Sequence, residues 1–249
     1  MKSFVVTIAF ALGCVSSASA LTSQNYKCAE GKAKAWGKFE SCVNKVVAKF
    51  YKTGSMSDLR RCRTKYAAAW TKLQQSLPNA PACQLPRLTD QGATVKDNFT
   101  ALVWEKKTTE PLSGENPADP HDVDNLYTYW ISEPGAPRPN GTAFTVFLAE
   151  LNGTGFGGSN GWRIPTIAEL LTLPLIEESC PPDCHLDPLY GSFSIFDSYL
   201  SSTESLYAPD FPEVDQTIAY MNWVATNGAI MYHDGKSAGL YVRAVHGGL

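Results

Sequence analysis

The stretch "ADPHDVDN" sets Asp119, Asp122 and Asp124 close together, and three carboxylates at such spacing can offer oxygen ligands to a hard cation such as calcium. Their order is not that of an EF-hand loop, so an acidic surface turn is the competing reading. Other reactive side chains are dispersed. His121, His185, His233 and His246 show neither an HExxH pair nor a closely spaced Cys/His set, which argues against zinc. The serines of "GSFS" and "SSTES" lack the nucleophile elbow of a hydrolase. In "GGSNGWRIPTIAELLTL" the glycines precede no Lys-Ser/Thr step and do not join a clear strand to a helix, so neither a phosphate loop nor a dinucleotide fingerprint is present. The expectation is a protein without catalytic residues and without a cofactor.

Cysteine chemistry points to an oxidising compartment. The first residues combine Lys2, the apolar run "FVVTIAFAL" and a small-residue "ASA" ending at Ala20, which together read as a secretory signal peptide over 1–20. Cys14 invites a lipoprotein reading, but Ala11 stands three residues before it where Leu is usual. Of the seven cysteines, that leaves Cys28, Cys42, Cys62, Cys83, Cys180 and Cys184, an even set suited to disulfides. No later run is apolar and long enough to span a bilayer, so the expectation is an exported protein, periplasmic or at the cell surface, with no transmembrane segment.

What must position these groups falls into two parts that differ in charge. Residues 21–85 hold twelve Lys or Arg against three acids, a net of +9, whereas 86–249 hold eight against twenty-one, a net of −13. Such asymmetry predicts two modules. In the first, Trp36, Phe39, Val43, Val46, Val47 and Phe50 recur at three- and four-residue steps, as do Leu59, Cys62, Tyr66, Trp70, Leu73 and Leu77. The spacing predicts two helices with facing apolar stripes, a turn in "KTGSMSD" and a cap at Ser57. Four cysteines allow three pairings, and reversal near Gly54 selects nested bridges, Cys42 to Cys62 and Cys28 to Cys83. Cys180 and Cys184, in "CPPDC", suit a separate small bridge.

The lysines of this hairpin, Lys38, Lys45 and Lys49 among them, can attract an anionic polymer. Lys32, Lys38, Lys45, Lys49 and Lys52 are equally what a solvated helix face carries, and no groove-reading motif suggests nucleic acid. The proline-containing stretch from Ser76 to Val95 predicts a short, semi-rigid connection.

The second module, 86–249, alternates short strands with short helices and predicts an α+β domain. "ATVKDNFTALVWEKK" reads as strand, Asp-Asn turn and strand; "TAFTVFLAELNG" as a helix ending at Gly153; "IAYMNWVATNGAIMYH" as a hairpin about Asn227-Gly228; "GLYVRAV" as a closing strand. Thr166 and Glu169 fit a capping box that turns Ile167, Leu170 and Leu171 inward.

The ordered blocks "TDQGATVKDNFTALVWEKK", "DVDNLYTYW", "FLAELNGTGFGGSNGWRIPTIAELLTL", "CHLDPLYGSF", "YLSSTES" and "YVRAVHGG" resemble the Lcl C-terminal domain family, named for the C-terminal domain of a bacterial collagen-like adhesin. The resemblance covers about 88–249. It implies a variant of the C-type lectin-like fold, related to that of formylglycine-generating enzymes, and makes Arg163 a buried or bridging structural arginine rather than a catalytic one. Leu200 and His246 depart from the pattern, which has Trp and a second arginine at those places. The cysteines that serve those related enzymes have no counterpart after Cys184. The "EPN" and "WND" signatures of calcium-dependent sugar lectins are absent, and "SEPGAP" lacks the amide.

The reading at this level is an exported, non-catalytic binding protein: a disulfide-stapled helical hairpin ahead of a C-type lectin-like domain. The resemblance implies an adhesin-like role toward glycans; among the residues, Tyr207, Tyr220 and Trp223 are rings that can stack on sugars, with burial in the core the competing reading for at least two of them, and the hairpin lysines are the grip on an acidic polysaccharide. The alternative is a cell-envelope scaffold that binds another protein.

Overall fold

The computed structural model describes residues 23–53, 59–131, 139–173, 187–192, 198–203, 218–224, 228–234 and 239–249, with backbone alone for 50–53, 198, 218–224 and 228–234. It is a mixed helix and sheet structure. Helices α1 (Ser23–Thr53) and α2 (Arg60–Ser76) form the N-terminal hairpin, followed by the one-turn α3 (Pro81–Gln84). The facing stripes are those the periodicity predicts: Phe39, Val43 and Val47 of α1 and Cys62, Tyr66 and Trp70 of α2 are buried, with Leu59 just ahead of α2. Trp36, Val46, Leu73 and Leu77 pack against them half-buried. Leu59 occupies the N-cap position of α2 without a side-chain cap, and Ser57 lies outside the described residues.

Both nested disulfides are present. Cys28 and Cys83 are 5.9 Å apart at Cα, and Cys42 and Cys62 are 5.8 Å apart. Because closure of a chain loop removes entropy from the unfolded state, each such bridge is worth about 2–4 kcal/mol. Cys180 and Cys184 lie outside the described residues.

Two sheets follow. The first runs in the order β1 (Leu88–Asp90), β2 (Thr94–Asp97), β3 (Leu102–Glu105) and β9 (Val245–Gly247), antiparallel throughout. Pairing of Leu102 with Gly247 brings the start and end of this part of the chain together. The second has the order β4 (Leu126–Tyr127), β8 (Leu240–Tyr241), β5 (Ser198–Tyr199), β6 (Ile218–Val224) and β7 (Gly228–Asp234). Strands β6 and β7 pair from Ile218–Asp234 to Val224–Gly228, so the predicted hairpin forms, with Gly228 inside β7 opposite Val224 rather than in a two-residue turn with Asn227.

Four sequence expectations change on contact with tertiary structure. "GLYVRAV" is two strands in different sheets rather than one. The chain breaks at Arg243, whose fully buried guanidinium donates to the carbonyls of Glu105, Tyr190 and Ser192 at 3.0, 2.7 and 2.6 Å. The helix of "TAFTVFLAELNG" begins with a π-helical segment, Ala143–Leu148, and continues as α4 (Ala149–Thr154). It ends at Gly155, not Gly153, because Gly155 takes the left-handed conformation (φ 64°) that closes a helix and suits glycine.

The connection after α2 is packed rather than linker-like: Ala80 and Cys83 are buried, and Gln84 Nε2 donates to the carbonyls of Gln74 and Leu77. Lys32, expected on a solvated face, is buried. Its ammonium donates to Ala82 O at 2.9 Å and Asn98 O at 2.8 Å and lies 5.2 Å from the centre of the Trp70 ring. Burial lowers its pKa, with Asp97 opposing.

Lys32 therefore pegs the hairpin to the turn between β2 and β3. The same turn presents Phe99, which stacks on Tyr66 at 4.3 Å and tilts against Trp70 at 4.9 Å. The turn is held from behind by Asp97, whose Oδ1 accepts the amides of Phe99 and Thr100 and whose Oδ2 accepts from Arg87. One hydrophobic core thus runs from Val43 and Trp70 through Phe99 to Trp104, Ile167 and Leu170. The charge boundary near Pro86 is not a boundary in the packing.

Candidate functional site

The three acidic residues of "ADPHDVDN" are each engaged within their own loop. Asp119 accepts from the Thr108 hydroxyl and the His121 amide, Asp122 from the Asp124 amide, and Asp124 from the amides of Leu112 and Gly114 and the hydroxyl of Ser113. Burial raises the Asp124 pKa, but those donors outweigh it and hold the carboxyl below its ordinary range. Among the described residues no group of three His, Cys, Asp or Glu is placed to hold a metal ion. The carboxylates stitch the loop from Thr108 to Asn125.

Arg163 is a bridge. Its backbone pairs with Val245 in both directions, and its guanidinium meets Glu169 in a fork, Nη1 to Oε2 at 2.7 Å and Nη2 to Oε1 at 2.6 Å. Glu169 Oε2 also accepts the Thr166 amide at 2.8 Å, while the Thr166 hydroxyl accepts the Glu169 amide, so the capping box forms as the sequence predicts. The bond to Glu169 raises the Arg163 pKa against the effect of burial. The "GGSNGWRIPT" stretch is accordingly a fold element: Gly157 is left-handed (φ 58°), and a Cβ there would meet Thr94 at 2.7 Å. Glu169→Ala is expected to cost about 1–2 kcal/mol by loss of the cap and of the Arg163 partner, checked by thermal unfolding against Thr166→Ala.

Two histidines that look isolated in sequence are tied to this stretch by rings. His121 stacks on Phe156 at 4.1 Å, Phe156 meets Trp162 at 5.4 Å, and Trp162 meets His246 edge-on at 4.5 Å. Behind them lies a buried ionic cluster that the sequence did not announce. Glu105 Oε1 takes Lys107 Nζ at 2.9 Å and His121 Nδ1 at 2.8 Å, and Oε2 accepts the Ala244 amide at 2.9 Å. Lys107 also donates to Pro120 O and lies over the Phe147 ring at 4.6 Å. Every oxygen of this carboxylate has a protein partner, so the cluster is built for rigidity.

The surfaces left for a ligand are elsewhere. On the hairpin, Ala35, Lys38, Phe39 and Cys42 of α1 and Cys62, Lys65, Tyr66 and Ala69 of α2 line a groove of ≈ 120 Å³. Both sets follow an i, i+3, i+4, i+7 spacing, so each is one face of its helix. By helical spacing Lys45 and Lys49 fall on the stripe of Lys38, and Arg61 and Lys72 on that of Lys65, and all six are exposed. On the other part of the molecule, the turn 117–120, Tyr127 and the π-to-α helix enclose a cleft of ≈ 500 Å³. Of the proposed stacking rings, Tyr207 lies outside the described residues, and Tyr220 and Trp223 stand on β6 opposite Tyr232 and Ala229. His185 also lies outside them, and His233 pairs with Ala219 on β7.

A disulfide-braced helical hairpin seated on a small domain of two sheets, with a capping-box helix tied to Arg163, is the class of protein these features define. The family model of the Lcl C-terminal domain matches residues 93–246, and the chain belongs to that family. No curated protein and no solved structure matches the chain. Among the described residues no helix is long and apolar enough to cross a membrane, and the two disulfides accord with an oxidising compartment.

Proposed function

We propose that the protein is an exported, non-catalytic binding protein that holds an acidic polysaccharide at the cell surface through its helical hairpin. The observation that carries this reading is the groove between the helices with Lys38 on one side and Lys65 on the other, which helical spacing extends into two exposed basic stripes, Lys38–Lys45–Lys49 and Arg61–Lys65–Lys72. Aligned cations on a rigid, disulfide-braced support attract a linear polyanion without needing to read its sequence. The net charge of −13 on 86–249 repels the same polymer, which confines the contact to the hairpin. The non-catalytic reading is supported by the use of Glu105, His121, Arg163 and Glu169 in fixed structural bonds. The finer fold assignment, a C-type lectin-like variant, is supported by the meeting of the domain's ends in one sheet and by its short, irregular elements.

Reversing Lys38, Lys45 and Lys49 to Glu is expected to weaken binding to heparin-like polymers by about tenfold or more, since each exposed contact is worth roughly 0.2–1 kcal/mol and reversal replaces attraction by repulsion. Binding by the unaltered chain should also fall steeply with salt, because exposed charges are screened over about 8 Å at physiological ionic strength. Unchanged binding in the triple variant, measured by biolayer interferometry, would overturn the proposal. The alternative, a cell-envelope scaffold with a protein partner, is favoured by one feature: the floor of the groove is apolar, with Ala35, Phe39, Tyr66 and Ala69 between the rims. A glycan array separates the two, since the scaffold predicts no glycan signal at low salt.

A further inference from the structure

The ≈ 500 Å³ cleft on the far side of the charge boundary has the opposite chemistry to the hairpin groove. Pro117, Ala118 and Pro120 form one wall, Thr145, Val146, Ala149 and Glu150 another, and Tyr127 sits between them. The volume is that of a small-molecule site. Its helical wall is the junction where the π-helical segment passes into α4, and such π segments recur at functional sites because the wider turn sets side chains apart from the α-helical positions.

The polar groups are few and complementary in type. Tyr127 is buried, and its hydroxyl accepts from Asn125 Nδ2 at 3.4 Å, which leaves its own proton to donate. Burial pushes this phenol up to about 12, so it remains a donor across the physiological range. The Thr145 hydroxyl donates back to Gly141 O at 3.1 Å and keeps acceptor capacity. Glu150 is the one charged residue of the lining, an exposed carboxylate with no ion pair among the described residues. Val146, 54% exposed, leaves a large apolar side chain open to a ligand between Thr145 and Glu150.

We infer that this cleft binds an amine-bearing saccharide unit. A pyranose presents an apolar C–H face and a rim of hydroxyls; the prolines of one wall and Val146 of the other offer apolar contact, while Tyr127 and Thr145 offer hydrogen-bonding groups. An ammonium group on the ring completes the match by meeting Glu150. An anionic unit is disfavoured twice, by Glu150 and by the net −13 of the surrounding chain. The cleft is therefore a second glycan site of opposite charge preference, and its occupancy does not depend on what the hairpin binds.

The test uses the full chain from residue 21, with its disulfides formed, and glucosamine trimer as the probe. Binding is expected by isothermal titration, with the N-acetylglucosamine trimer at least threefold weaker. Glu150→Gln should reduce glucosamine-trimer affinity about three- to fivefold, the effect of roughly 0.7–1 kcal/mol for an exposed ion pair, and leave the N-acetyl trimer unchanged. Val146→Arg, an exposed substitution that fills the cleft with a cation, should abolish binding of both. Neither variant should reduce binding to heparin-like polymers, which keeps this result separate from the hairpin's. Absence of glucosamine-trimer binding, or equal affinity for both trimers in the unaltered chain, would overturn the inference.

Discussion

Glu105→Gln is expected to lower the free energy of unfolding by about 3–5 kcal/mol, the cost of leaving a buried charge without its partner. The residue is fully buried, and so is almost all of Lys107, whose ammonium sits 2.9 Å from Glu105 Oε1. Burial alone pulls the Lys107 pKa down, and Glu105 is the chief group opposing it. Burial raises the Glu105 pKa, but Lys107, His121 and the Ala244 amide together hold it below its ordinary 4.5. A carboxyl depressed in the folded state contributes stability that is fully present above its unfolded value. That contribution is lost as pH falls through 4.5 toward the lower folded value.

Urea denaturation of wild type and variant should therefore converge as the pH drops below 4.5, with the largest difference near neutrality. Lys107→Met should restore part of the loss when combined with Glu105→Gln, since an apolar replacement removes the stranded charge. A Glu105→Gln variant within 1 kcal/mol of wild type at pH 7 would show that the cluster is not the keystone its burial indicates.

How much of this was legible in the sequence depends on the range of the interactions involved. The hairpin was readable because its signal is local: the three- and four-residue recurrence of Phe39, Val43 and Val47 against Cys62, Tyr66 and Trp70 fixes two stripes, and antiparallel stripes fix which cysteines meet. The Thr166–Glu169 box was readable for the same reason. Glu105, Lys107 and Arg243 were not, because charged residues in short strands carry no periodic mark of burial. Their partners lie 138 residues apart in the case of Arg243 and the Glu105 carbonyl. Lys32 was misread because spacing assigns a lysine to solvent by default. Only the docked turn at Asn98–Phe99 shows that this one is a peg. The cleft at Tyr127 and Glu150 escaped because it joins a proline turn to a helix whose π segment shifts the facing positions away from those an α-helix would present.

Residues 86–249 expressed without the hairpin are expected to lose the native state, despite the change in charge and cysteine pattern near Pro86 that suggests independent modules. Cutting there strips the stacked face of Phe99, which Tyr66 and Trp70 cover at 4.3 and 4.9 Å, and removes the bond from Lys32 to Asn98 O. Phe99 is only 1% exposed in the whole chain. Exposing one such side chain costs about 1.5–3 kcal/mol, and Val95 and Ile167 belong to the same continuous core. A domain whose total stability is about 5–15 kcal/mol cannot absorb the loss of its largest covering element without becoming prone to aggregation. The fragment should show rapid proteolysis and little cooperative unfolding by circular dichroism, whereas the chain from residue 21 unfolds in one transition under oxidising conditions. Phe99→Ala in the full chain should reproduce part of the effect, about 3–5 kcal/mol, without removing the hairpin. A fragment that melts cooperatively at the temperature of the full chain would restore the boundary at Pro86 as a true division between folding units and leave the shared core without energetic weight.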